Sequence, residues 1–222
     1  ASWSTDDSNI IATKCLEKNI APYGNARART IVWTFADQIP QHREPIHSPR
    51  PDLAKKYPSF KDKAKQYRVD TKFESLQQSK DFSKEFPINL TTGRLVNFSG
   101  AGMETRASKY LSRITPEMFA DIHPELAAKH GIKNWDFVWV HSPEGTKIKV
   151  RARIVPSVKP NMIFLPFHWA GYMQGVDMTG NFPEGTLPFA VGESANTVTN
   201  YGYDIVTQIP ETKGGLCRIE RA

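Results

Sequence analysis

The chain has 222 residues, 39% of them apolar and 23% charged, enough for one domain with a real core plus a sizeable extension, and not the composition of a disordered or bilayer-spanning chain. A net charge of +6 suits an anionic ligand but is too diffuse to indicate nucleic acid. Cys15 and Cys217 lie far apart and form no C-x-x-C pair, which excludes a thiolate-built zinc site or iron–sulfur cluster within this sequence.

Residues 1–85 read as an extended arm or linker. Residues 1–9 carry neither a basic start nor an apolar stretch, so no signal peptide is expected there. Arg27, Arg29, Arg43 and Arg50 stand among Pro40, Pro45, Pro49 and Pro51, a composition that favours extended backbone over long helices. Residues 52–68 hold five lysines, but Asp52 and Asp62 intervene and Pro58 interrupts any helix. A solvated face is expected there rather than a nucleic-acid patch.

From Phe86 the pattern becomes that of a compact, mainly β domain. PINL predicts a short apolar strand running into a glycine-containing turn, TTGR, and then a polar loop of small residues. ADIHPELAAKHGI reads as a strand followed by a two-turn helix, with Pro124 suited to the first helical turn and Gly131 to the left-handed position past its end. DFVWVHS and TKIKVRARIV flank a turn at Ser142-Pro143-Glu144-Gly145; in the second, Ile148, Val150, Ala152 and Ile154 alternate with Lys147, Lys149, Arg151 and Arg153, giving one core face and one wet face. The apolar run NMIFLPF precedes His168 and Trp169, and a long Gly-, Pro- and Asn-rich loop is expected from there to about Val198.

The order TTGR, IHPELAAKHGI, VWVHSPEG, LPFHWAG, ANTVT and PETKGGLCRIE resembles the last domain of molybdopterin oxidoreductases, in particular formate dehydrogenase catalytic subunits. The resemblance covers residues 86–222 and extends, with less specific motifs, into the arm. It implies a double-psi β-barrel with a few short helices. It also implies a ligand, bis(molybdopterin guanine dinucleotide) carrying molybdenum or tungsten, shared with domains outside this sequence. By the same resemblance the partners are the remaining domains of a catalytic subunit and an iron–sulfur electron-transfer subunit. The location implied is periplasmic, with cytoplasmic as the alternative, and direct membrane insertion is not expected.

Such a cofactor needs many polar donors on irregular backbone. Thr92, Gly93 and Arg94 supply a hydroxyl, close backbone approach and a two-pronged guanidinium; an ordinary turn with a surface arginine is the plain alternative. Leu95, Asn97 and Ser99 lie in a loop that matches cofactor-touching positions of relatives, although Asn97, Phe98 and Ser99 replace the histidine-rich version of some members. Asn196 offers amide donors and an acceptor to a pterin edge beside Thr197, against the reading of a simple turn residue. Lys213 is placed to reach a phosphate or pterin oxygen, or simply solvent. His168 and Trp169 are expected to line a guanine pocket, the alternative being a structural tryptophan at the barrel mouth.

No metal ligand is assigned, because neither His42 with His47 nor His123 with His130 has companion ligands at a defining spacing. No catalytic residue is assigned either, so the chain alone is expected to be inactive and to hold the cofactor whose chemistry is its own. The rival readings are the same domain of a nitrate or thiosulfate reductase, a freestanding nucleotide-binding or interaction barrel, and a nucleic-acid-binding barrel. The last is disfavoured by the lack of an aromatic–basic stacking platform.

Overall fold

The computed structural model of the chain describes residues 51–57, 80–200, 209–210 and 212–222. Cys15, His42, His47 and most of the predicted arm lie outside them. Within the arm, α1 (Pro51–Lys56) has Asp52 in its first turn and Lys55 and Lys56 in its last, each matching the helix dipole. It ends before Pro58, as the sequence predicts.

In chain order follow β1 (Ile88–Gly93), α2 (Lys109–Ile114), β2 (Phe119–Ile122), α3 (Pro124–Lys129), β3 (Phe137–His141), β4 (Lys147–Ile154), β5 (Met162–Pro166), β6 (Gly171–Met173), β7 (Val176–Asp177), β8 (Gly192–Glu193) and β9 (Gly215–Arg221). Six of these strands close into a barrel in the order β1-β5-β2-β4-β3-β9, with β9 pairing back onto β1. The pairs β1–β5 and β2–β4 are parallel, the rest antiparallel. The expected mainly β fold of the double-psi type, with a few short helices, is therefore what is found. Leu90, Ile122, Val138, Val140, Ile148, Val150, Ile163 and Leu165 fill the interior, and the predicted alternation of β4 places Ile148, Val150 and Ala152 inward. On its outer side Arg153 makes a two-pronged ion pair with the nearly buried Asp121, at 2.6 and 2.9 Å.

Three local expectations change. The TTG segment is strand and not turn, because parallel pairing carries β1 on through Thr92↔Leu165 and Gly93↔Pro166. The segment after Trp169 carries a small sheet, β7-β6-β8, and the expected loop is confined mainly to residues 178–191, between β7 and β8, which hold only the short turn Thr179–Asn181. Gln174 and Gly175, both at positive φ, make the two-residue turn between β6 and β7. Buried Glu193 fastens this sheet to the barrel, its carboxylate accepting from the amides of Lys149 at 3.1 Å, Gln174 at 3.0 Å and Gly175. Third, the polar stretch after β1 contains α2, whose start Ser108 caps by accepting from the Leu111 amide. Among the described residues no helix is long and apolar enough to cross a membrane.

Candidate cofactor site

β1 and β5 run side by side and end together, so the segments leaving them emerge from one end of the barrel. The Phe167 amide donates to the Gly93 carbonyl at 3.2 Å, holding the two exits in register. Gly93 is needed for space: a Cβ there would meet the Phe164 ring at 2.5 Å. Arg94, the next residue, is exposed, and its guanidinium lies 5.4 Å from the centre of the Phe167 ring.

The segment before β9 joins this end of the barrel. Thr92 Oγ1 donates to the Thr212 carbonyl and Lys213 Nζ to the Thr92 carbonyl, both at 3.3 Å. Buried Asn200 donates to the Gly214 carbonyl at 3.2 Å, which ties the turn bearing Asn196 and Thr197 to the same segment. That turn is fixed again where Thr146 Oγ1 donates to the Thr197 carbonyl and Thr199 Oγ1 to that of Asn196. Asn196 is exposed and Thr197 half-buried.

The eleven predicted positions divide by what they do locally. Thr92, Gly93, Arg94, Leu95 and His168 meet directly, Lys213 joins through Thr92, and Asn196 and Thr197 through Asn200. Asn97 is turned inward, donating to the Leu111 carbonyl at 3.3 Å and to Thr115 Oγ1 at 3.4 Å, so it secures α2 against the loop. Ser99 is exposed, its amide donating to Thr105 Oγ1. The expected open stacking pair does not form, because His168 and Trp169 are 0% and 4% exposed. Trp169 packs edge-on against Phe98 and Phe119, and its Nε1 is buried with no hydrogen-bond partner. His168 instead accepts the Leu95 amide.

The group left facing outward, Arg94, Ser99, Asn196, Thr197 and Lys213, contains two cations, two hydroxyls and an amide, and no carboxylate. A set rich in donors and free of negative charge fits a ligand dominated by phosphate and pterin oxygens. Among the described residues no cluster of His, Cys, Asp and Glu could hold a metal ion directly. Sequence reasoning missed Asn200 and Phe167, which position Lys213 and Arg94 through contacts between segments remote in sequence.

It also missed an aromatic–basic face, contrary to the premise used against nucleic acid. Lys147 and Lys149 lie 4.1 and 5.8 Å from the Trp139 ring, and Arg151 lies 3.6 Å from that of Phe137. Cross-strand pairing of β3 with β4 brings these residues together. Arg151 is also paired with Glu117 at 2.8 Å. Beside this face a cavity of about 400 Å³ opens between the barrel and the small sheet.

Residues 88–216 match the family described as "Molydopterin dinucleotide binding domain". The chain is 34% identical over 137 residues to the F420-dependent formate dehydrogenase 1 subunit alpha of Methanococcus maripaludis, covering 62% of this chain and 17% of that one. It is 30% identical over 192 residues to the formate dehydrogenase 2 subunit alpha (cytochrome c-553) of Nitratidesulfovibrio vulgaris, covering 83% and 17%. It is 34% identical over 96 residues to the assimilatory nitrate reductase catalytic subunit of Bacillus subtilis, covering 43% and 13%. Among solved structures, acetylene hydratase from Pelobacter acetylenicus superposes with a TM-score of 0.50 at 17% identity, over 70% of this chain and 21% of that one, a likeness of fold alone. The chain spans about a sixth of the length of the two formate dehydrogenase subunits it matches.

Proposed function

The chain belongs to the molybdopterin dinucleotide-binding domain family, and from that membership we propose that it clasps bis(molybdopterin guanine dinucleotide) as one wall of a formate dehydrogenase-type catalytic subunit that converts formate to carbon dioxide. One observation carries this reading: the matched segment gathers, at one end of the barrel, an exposed donor set containing Arg94, Lys213 and Asn196 and free of carboxylates. Bound there, the cofactor supplies the redox chemistry through its molybdenum or tungsten. The residues of this chain hold and orient it. Arg94 and Lys213 offer charge to phosphate or pterin oxygens, Asn196 and Thr197 hydrogen-bond a polar edge, and Ser99 adds a hydroxyl.

Formate is favoured over nitrate as the substrate of the whole enzyme by the extent of similarity. The 192-residue match to a formate dehydrogenase subunit is too long to fit within residues 86–222, so it takes in part of the arm, whereas the nitrate reductase match covers 96 residues. The division we propose is an arm over residues 1–85 and a binding domain over 86–222, supported by the start of both β1 and the family match at residue 88. The partners proposed are the other domains of the catalytic subunit and an iron–sulfur electron-transfer subunit, and the proposed location is the periplasm, on the resemblance alone.

Replacing Arg94 by Ala in the full-length subunit tests the reading. Losing one charge-assisted hydrogen bond should weaken cofactor retention by about 1.5–3 kcal/mol, measured as pterin and metal per polypeptide after dilution. Unchanged content and activity would sink the assignment.

A further inference from the structure

The loop leaving β1 is built around one side chain. His168 is wholly buried, and its Nε2 accepts the Leu95 amide at 2.6 Å. At the far side of the loop Gly102, at φ +83°, packs so closely that a Cβ would lie 2.9 Å from the His168 carbonyl oxygen and 3.1 Å from its Cβ. Between these points the Phe98 ring meets the imidazole at 5.2 Å, and Phe167 meets it at 5.3 Å. Residues 95–102 therefore wrap a single imidazole.

The Leu95 hydrogen bond dictates the state of that ring. A nitrogen that accepts an N–H must carry a free lone pair, so Nε2 is bare and the proton of the neutral ring sits on Nδ1. Nδ1 is buried without a hydrogen bond of ordinary geometry. A proton on Nε2 would set N–H against N–H inside the packed interior, where an unpaired polar group is costly. Burial most strongly lowers the basicity of the ring below the ordinary value of 6.5; the Gly100 backbone pushes the other way, and Arg94 and Arg106 lower it further. Arg94 faces the ring from the end of β1, and Arg106 from the turn Thr105–Ala107. The aromatic neighbours Phe98, Phe167 and Trp169 carry no charge.

We propose that His168 is a positioning residue: as a neutral imidazole it latches residues 95–102 through the Leu95 amide, and uptake of a second proton releases the loop. Its consequence for the cofactor rests on the reading given under Proposed function, because this loop carries Ser99 and begins beside Arg94. Acid should then loosen the loop before it unfolds the barrel, and cofactor retention should fall with it. A residue that merely filled space would not link the loop to pH.

The test uses the whole 222-residue chain with 15N-labelled histidine. The ring signal that disappears in His168→Gln should show a bare Nε2 and a protonated Nδ1 at pH 7, and should take up its second proton at a lower pH than an ordinary histidine. Amide exchange read by mass spectrometry should be at least tenfold faster across residues 95–102 in His168→Phe, with β3 and β9 unchanged. His168→Gln, whose amide oxygen can accept from Leu95, should restore protection. After correction for intrinsic exchange, acid should erode loop protection in the wild type but not in His168→Gln. A protonated Nε2 at pH 7, or a loop equally protected in His168→Phe, would overturn the latch. Should His168→Phe fail to fold, the ring spectrum and the acid comparison with His168→Gln still decide. In the full-length catalytic subunit, His168→Phe should also lose pterin faster on dilution. Faster loop exchange with unchanged pterin retention would overturn the assignment of this loop to the cofactor and leave the latch standing.

Discussion

At Gly93 the requirement is room beside an aromatic ring, since β1 is still strand there. Alanine would drive a methyl into the edge of Phe164 and should cost about 1–3 kcal/mol of stability through overpacking, read as a lowered denaturant midpoint. Adding Phe164→Leu should return part of that loss, because residues in direct contact do not act additively. Asn196 should behave differently. Its side chain is exposed and its carbonyl holds the turn through Thr199, so Asn196→Ala should leave the unfolding free energy of the chain within about 0.5 kcal/mol of wild type. In the full-length subunit it should lower cofactor occupancy. A folding defect without ligand dependence would make it a turn residue instead. Asp177 offers a check on local electrostatics. Its carboxyl is held below the usual carboxylate range first by the Thr179 hydroxyl and then by the Thr179 amide, at 2.6 and 2.8 Å. A depressed carboxyl stabilises the folded state above its ordinary pKa, and that contribution is lost as pH falls through the lowered value. Thr179→Val should raise the Asp177 midpoint in an NMR titration while leaving the amide contact in place.

Elements with a strict period were legible in the sequence. β4 declared itself by alternation and α3 by Pro124 and Gly131; Gly131 does adopt φ +64°. Elements made by pairing were not. No alternation in TTG separates a strand end from a turn, and what decides is a parallel partner more than seventy residues away. The two-residue strands β7 and β8 carry no pattern at all and exist because Glu193 and the Gln174-Gly175 turn hold them to β4. The site shows the same division. Arg94, Asn196 and Lys213 stood out by residue type, whereas Asn200 and the inward role of His168 depend on contacts between distant segments. Trp169 was marked by its motif, but no sequence signal revealed that its ring would face into the packing of Phe98 and Phe119.

The barrel as a whole is sealed where β1 meets β9, and Cys217 sits in that seam opposite Ile88. Burial pushes its thiol far up from the ordinary value, so the folded chain should alkylate there only when the seam opens. Peptide-resolved labelling of Cys217 along a denaturant series should therefore track global unfolding, and rapid labelling in native buffer would contradict closure. The same chain, assayed alone with dye acceptors and cofactor extract, should not oxidise formate, because no C-x-x-C pair is present and a dinucleotide of that size needs walls beyond one domain. Sealing by β9 also bears on synthesis. A ribosome must release everything from β1 to Arg221 before the last strand can slide between β1 and β3. Until then the nascent barrel carries two bare strand edges, each a template for a stray strand from a neighbouring chain, so chaperone occupancy on translating ribosomes should persist until the final seven-residue strand has emerged.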